Sequence, residues 1–126
     1  MTVVLDSSAV LALILREPGS VEVASYLKDA HMSTVNYAET LGRLAMGGMP
    51  IDIAHWLVQR MQIRLHPFST DQAYAAGGWQ PDTHHRGLSL GDRACFSLGR
   101  ELDAPVVTAD RVWADIDLGV EVVLVR

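Results

Sequence analysis

Four acidic residues, Asp6, Glu39, Asp92 and Asp110, stand where a carboxylate can do chemistry. Asp6 follows the apolar run Val3-Val4-Leu5, and Asp110 follows Pro105-Val106-Val107-Thr108-Ala109, so both read as residues at the carboxyl ends of buried strands. Glu39 and Asp92 fall in the first turns of segments with helical periodicity. In open α/β sheets ligands bind at the carboxyl ends of the strands, where the connecting loops diverge and leave a crevice. Four anions brought together there repel, by roughly 4 kcal/mol per pair at about 4 Å for an effective dielectric near 20. A hard, oxygen-seeking cation such as Mg²⁺ or Mn²⁺ suits a site made only of carboxylates and hydroxyls. Such a site lowers the pKa of water and stabilises charge on a phosphoryl oxygen, which is the chemistry of phosphodiester hydrolysis.

Each acid also has a structural explanation. Asp6 can serve as a turn residue or helix cap, with Ser7 and Ser8 after it. Asn36 followed three residues later by Glu39 has the pattern of a capping box. Asp92, three residues after the candidate cap Ser89, is favoured by the helix dipole. The dipole also favours the ionised forms of Glu39 and Asp92, so capping and cation binding are compatible roles.

The elements that must position these residues alternate between strand and helix. After the first strand and the Ala9–Leu15 helix, Glu17-Pro18-Gly19-Ser20 ends one helix and opens another with Val23, Tyr26, Leu27 and Ala30 on its apolar face. A short strand is expected at His31–Val35, then a helix from Asn36 to Gly47-Gly48. Pro50 to Met61 reads as a helix with Ile51, Ala54, Leu57, Val58 and Met61 on one face and Ile53 and Trp56 off it, a breadth that favours an oligomer. Ile63–Phe68 is a third candidate strand, Ser69-Thr70-Asp71 caps the next helix, and Asp82–Gly87 reads as loop. Adjacent His84 and His85 point in different directions and lack a third ligand at suitable spacing, so they read as surface histidines. Leu90, Ala94, Leu98 and Leu102 mark one face of a last long helix, and Val120–Val125 closes the chain as a strand. The expectation is one α/β unit over residues 1–126.

Composition narrows the class. The 126 residues suffice for one domain with a sizeable core, and 49% hydrophobic with 20% charged residues is ordinary for a globular protein. A formal charge of −5 gives no global basic field, so a polyanion must be held locally. Lys28 is the only lysine and the other basic residues are arginines, whose planar fork suits phosphate. Cys95 alone excludes a disulfide framework and a thiolate metal site. No apolar run is long enough for a membrane span and no charged leader precedes Val3, so a cytoplasmic protein is expected.

Four motifs together carry a family resemblance: Val4-Leu5-Asp6-Ser7-Ser8-Ala9, Tyr37-Ala38-Glu39-Thr40, Leu88-Ser89-Leu90-Gly91-Asp92-Arg93-Ala94 and Val107-Thr108-Ala109-Asp110-Arg111. In order and content they resemble the acidic motifs of PIN-domain ribonucleases, specifically the VapC toxins of toxin–antitoxin pairs. The resemblance implies a single PIN-like domain with a central, mainly parallel sheet flanked by helices. It also implies a homodimer, Mg²⁺- or Mn²⁺-dependent cleavage of RNA, and a small VapB-like antitoxin whose tail occludes the acidic crevice. Asp6, Glu39 and Asp92 would be the principal metal carboxylates and Asp110 a further ligand or neighbour. Ser7 and Thr108 would orient carboxylate or water, and Arg93 would support the site. Gln72–Arg86 carries no family motif.

Two other readings are weaker. Aspartyl-phosphate phosphohydrolases need a second acid two residues after the first, and Ser8 holds that position here. The other is a PIN-like binding or regulatory module without turnover, against which stands the presence of all four acids.

Overall fold

The β-branched and leucine-rich run Val3–Leu5 forms strand β1 with every residue buried, as a strand covered on both faces requires. The computed structural model describes residues 1–126. Strands β2 (Ala30–Ser33), β3 (Arg64–His66), β4 (Val106–Thr108) and β5 (Val122–Leu124) complete one sheet in the order β3-β2-β1-β4-β5. Every pairing is parallel, with Val4 opposite Val106 and Leu5 opposite Val107 at the β1–β4 seam. The mainly parallel sheet expected from sequence is thus wholly parallel.

Seven helices connect and cover the strands: α1 (Ser7–Ile14), α2 (Ser20–Tyr26), α3 (Thr34–Met46), α4 (Ile51–Arg60), α5 (Thr70–Gly78), α6 (Gln80–Thr83) and α7 (Leu90–Leu102). The alternating side chains of β1 divide the core in two. Val3 and Leu5 pack with Val10, Val23 and Met32 on one side, and Val4 packs with Phe96, Leu98 and Trp113 on the other. The Phe96 and Trp113 rings stack at 4.7 Å between centroids. No helix is long and apolar enough to cross a membrane.

Several local expectations shift. β2 ends at Ser33, and Ser33 rather than Asn36 caps α3, its hydroxyl accepting from the Val35 N–H at 3.2 Å. Asn36 therefore lies inside the first turn, and Asn36 and Glu39 do not form a capping box. The box of this chain is at α7, where the Ser89 hydroxyl accepts from the Asp92 N–H at 3.1 Å and the Asp92 carboxylate accepts from the Ser89 N–H at 2.9 Å. Ser89→Ala removes this cap and is expected to cost about 1 kcal/mol, a lowering of the melting temperature by a few degrees. An unchanged thermal transition would show that the box contributes nothing to stability.

The region read as loop is helical: α6 and a 3-10 turn at His84–Arg86 fill it, with both histidines exposed as expected. On α7 the buried set is wider than the four-residue stripe and includes Cys95 and Phe96, while Leu90 is exposed. The reason is that α7 packs against α3, α5 and the sheet together. On α4 only Ala54 and Val58 are buried, and Ile51, Ile53 and Trp56 all face outward.

Candidate active site

The strand order reverses between β1, which continues to β2, and β4, which continues to β5. This is the switch point at which the loops part, and Asp6 and Asp110 leave the sheet there. Asp6 is only 3% exposed, and although it occupies the cap position of α1 its side chain does not cap the helix. Its Oδ2 instead accepts from the Ser8 hydroxyl at 2.7 Å and the Thr108 hydroxyl at 2.9 Å. Burial raises the Asp6 pKa to about 6. The negative charge of Asp92 pushes the same way, against the hydrogen bonds from Ser8, Thr108 and the Ser7 backbone.

The hydroxyl assigned to Ser7 from sequence is thus supplied by Ser8. Ser8 Oγ bridges Asp6, the Thr108 hydroxyl at 3.1 Å and the Ala109 N–H at 3.0 Å, stitching α1 to the end of β4. The reason is directional: side chains of a helix lean toward its N-terminus, so the second residue of α1 reaches back over the strand ends. Thr108 Oγ1 donates to Asp6 Oδ2 at 2.9 Å and accepts from the Asp110 N–H at 3.0 Å. The Asp110 Oδ1 accepts from the Val112 N–H at 3.0 Å, capping the 3-10 turn Arg111–Asp115.

Glu39 enters from α3. The amide of buried Asn36 donates to Glu39 Oε1 at 3.0 Å and to the Gly91 carbonyl at 2.9 Å, tying α3 to the first turn of α7. A Cβ at Gly91 would lie 2.2 Å from Glu39 Oε2, so the glycine makes room for that carboxylate. Asp92 follows directly and is half-buried. Its pKa is raised by burial first, with Glu39 and Asp110 adding repulsion against the Ser89 hydrogen bonds. Burial pushes the Cys95 thiol up, and the charges of Asp6, Asp92 and Glu39 push it further. One buried sulfur therefore senses three of the four acids. Arg93 does not join them: its Nη1 donates to the Ala76 carbonyl at 2.7 Å, bracing α5 against α7.

No group of three or more His, Cys, Asp or Glu side chains stands close enough to hold a metal ion by direct coordination alone. A Mg²⁺ ion does not need such a group, because it keeps several waters and takes one or two carboxylates. The donor set fits such an ion on three grounds. It is all oxygen. The internal hydrogen bonds use Oδ2 of Asp6, Oε1 of Glu39, Oδ2 of Asp92 and Oδ1 of Asp110, one oxygen of each carboxylate. Finally, Asn36 Oδ1 is a buried acceptor with no partner, on the side chain that holds Glu39. Asn36 and Ser8 are the site residues that sequence reasoning missed. A signal existed for Asn36, three residues before Glu39 on one helical face.

The chain resembles, over 99% of its length and 98% of the other chain, a toxin–antitoxin complex from Klebsiella pneumoniae, with a TM-score of 0.76 at 12% identity. It resembles DNA-bound VapBC from Salmonella typhimurium with a TM-score of 0.75 at 14% identity, covering 100% of this chain and 99% of that one. The sarcin–ricin loop cleaving toxin VapC20 of Mycobacterium tuberculosis aligns with a TM-score of 0.73 at 15% identity, over 95% of this chain and 99% of that one. Comparison with curated protein sequences finds no match. The PIN domain family profile matches residues 3–118, a span that contains all four acids, and the chain therefore belongs to the PIN domain family.

Proposed function

We propose that this chain is a divalent-metal-dependent endoribonuclease, the toxin of a type II toxin–antitoxin pair. The observation that carries the reading is the electrostatic coupling of the four acids: burial raises the Asp6 pKa to about 6 with Asp92 pushing the same way, and burial raises that of Asp92 with Glu39 and Asp110 adding repulsion. A buried carboxylate at this cost is the mark of a functional site more than of a structural one. The structural neighbours, among them a toxin–antitoxin complex, a VapBC complex and the toxin VapC20, support the biological setting.

Of Asp6, Glu39 and Asp92, one or two would bind Mg²⁺ or Mn²⁺ directly and the rest through its waters, with Asp110 beside them. When bound, the cation supplies neutralisation of phosphoryl oxygens and a lowered pKa for water. The chain's own residues do the positioning. Ser8 and Thr108 lock the Asp6 carboxylate across the β1–β4 seam, and Asn36 fixes Glu39 against α7. The capping box holds Asp92 at a helix N-terminus, whose dipole favours its charged form.

An antitoxin of the VapB kind, a homodimer and a cytoplasmic setting belong to the same proposal. The outward-facing Met46, Ile51, Ile53 and Trp56 of α3 and α4 support a protein partner on that face, since Met46 is 89% exposed and Trp56 51%.

The test is incubation of the purified chain with a mixed cellular RNA pool and Mg²⁺ or Mn²⁺, beside an EDTA control. Discrete cuts that need the metal are expected; an intact pool under every metal condition would point to a PIN-domain module without turnover. Gly91→Ala offers a sharper check. The added Cβ must displace the flexible end of Glu39, so cleavage is expected to fall about tenfold or more while the melting temperature moves little. Undiminished cleavage by Gly91→Ala would remove Glu39 from the reaction.

A further inference from the structure

Resting on the ribonuclease reading, we infer that a groove beside the acidic crevice is a nucleotide subsite, in which Arg43 pairs with a phosphate flanking the bond to be cut. The groove is a cavity of about 360 Å³ between α1 and the end of α3. Leu11, Leu15 and Met49 give it an apolar wall, Ser8 and the acidic Glu17 line it, and exposed Arg43 and Arg126 stand over it. Its size falls at the lower end of the range of small-ligand sites, about 300–1,000 Å³.

Three observations point to RNA as the occupant. Ser8 is shared: the residue that lines the groove also bonds the Asp6 carboxylate at 2.7 Å, so the groove adjoins the acidic site. The charge is complementary. A chain of net charge −5 offers guanidinium groups here, and Arg111, next to Asp110, bonds the Arg126 carbonyl at 3.3 Å and extends the basic rim to the crevice. The third concerns partners. Arg126 is shared with Glu17 at 3.5 Å, whereas Arg43 forms no ion pair and no side-chain hydrogen bond. A planar guanidinium with free donors suits a phosphate, and the apolar wall suits an unstacked base.

The subsite thus assigns polarity to the site: carboxylates where the reacting phosphate is met through a cation, arginine where the next phosphate must be held without one. It also favours single-stranded segments, because a paired base must first give up its pairing and stacking to enter a groove.

The probe is a fluorescein-labelled single-stranded RNA decamer of randomised sequence, titrated by anisotropy against the Asp92→Asn chain with Mg²⁺ over a salt series. Adding Arg43→Glu is expected to weaken binding about tenfold or more and to lower the salt slope by about one, as for loss of a phosphate contact. Arg60→Glu on α4 makes the same change in net charge and is expected to leave binding within about twofold, because Arg60 lies over the Trp56 ring and takes no part in the groove lining. Arg43→Lys should retain part of the affinity. Equal binding by Arg43→Glu and its parent, equal weakening by Arg43→Glu and Arg60→Glu, or no binding of the decamer at all would overturn the subsite. Cleavage by the otherwise unaltered chain separates the two readings. Cutting that Arg43→Glu leaves at parental KM rejects the groove and keeps the ribonuclease. Arg43-dependent binding without any cutting rejects the ribonuclease and keeps the groove.

Discussion

Asp92→Asn is expected to abolish metal-dependent cleavage of RNA, by at least about a hundredfold, while the protein stays folded. Loss of a residue that merely supports a metal ligand typically costs about 10–100-fold, so loss of a ligand costs no less. The fold survives for a local reason. The Asp92 side chain accepts from the Ser89 N–H at 2.9 Å, and an asparagine oxygen can accept the same bond. The substitution also removes one member of a repelling cluster, since Glu39 and Asp110 both raise the Asp92 pKa. The melting temperature should therefore stay within about 4 °C of the parent, about the shift expected for 1 kcal/mol in a domain of this size. The comparison is made on one RNA pool, with EDTA controls and both preparations purified alike. Parental cutting by Asp92→Asn would strip it of the metal role.

The second large effect is on stability. In the metal-free protein the buried Asp6 carboxyl has its pKa raised from 3.8 to about 6. Between those values the folded state binds more protons than the unfolded state, so stability falls as pH rises. The stabilisation from the protonated form is complete below pH 3.8 and lost as pH passes about 6. The size is about 3 kcal/mol from Asp6 alone, and Asp92, with its own raised pKa, acts in the same direction. Chemical denaturation from pH 4 to 7 in EDTA should show this loss when compared with Asp6→Asn, which keeps the shape and removes the titration. Mg²⁺ at pH 7 should restore the parent by binding its native state and do far less for Asp6→Asn. Identical pH profiles for the two proteins would mean that Asp6 ionises without penalty.

Together these predictions describe a site that is costly to fold without its cation. The carboxylates repel and one is buried, and the fold holds them by hydrogen bonds from Ser8, Thr108, Asn36 and Ser89. This is the usual balance at functional sites, where stability is given up locally and recovered from the core around it. Here that core comprises two apolar layers on either face of β1 and β4.

What the sequence by itself determined is what short-range physics controls. Apolar runs ending in Asp6 and Asp110 identified strand ends, because a strand buried on both faces cannot continue through a charge. Ser89 was legible as a cap, because capping patterns are local properties of the chain. Only the tertiary structure decided that β1 lies beside β4, which brings Asp6 and Thr108 together across 102 residues. It chose Ser8 over Ser7 for the Asp6 carboxylate, turned Asn36 from a cap into the link between Glu39 and α7, and sent Arg93 to the Ala76 carbonyl of α5. Each of these depends on which element packs against which. A side chain's periodicity tells which face it occupies on its own helix, and only packing determines what that face meets.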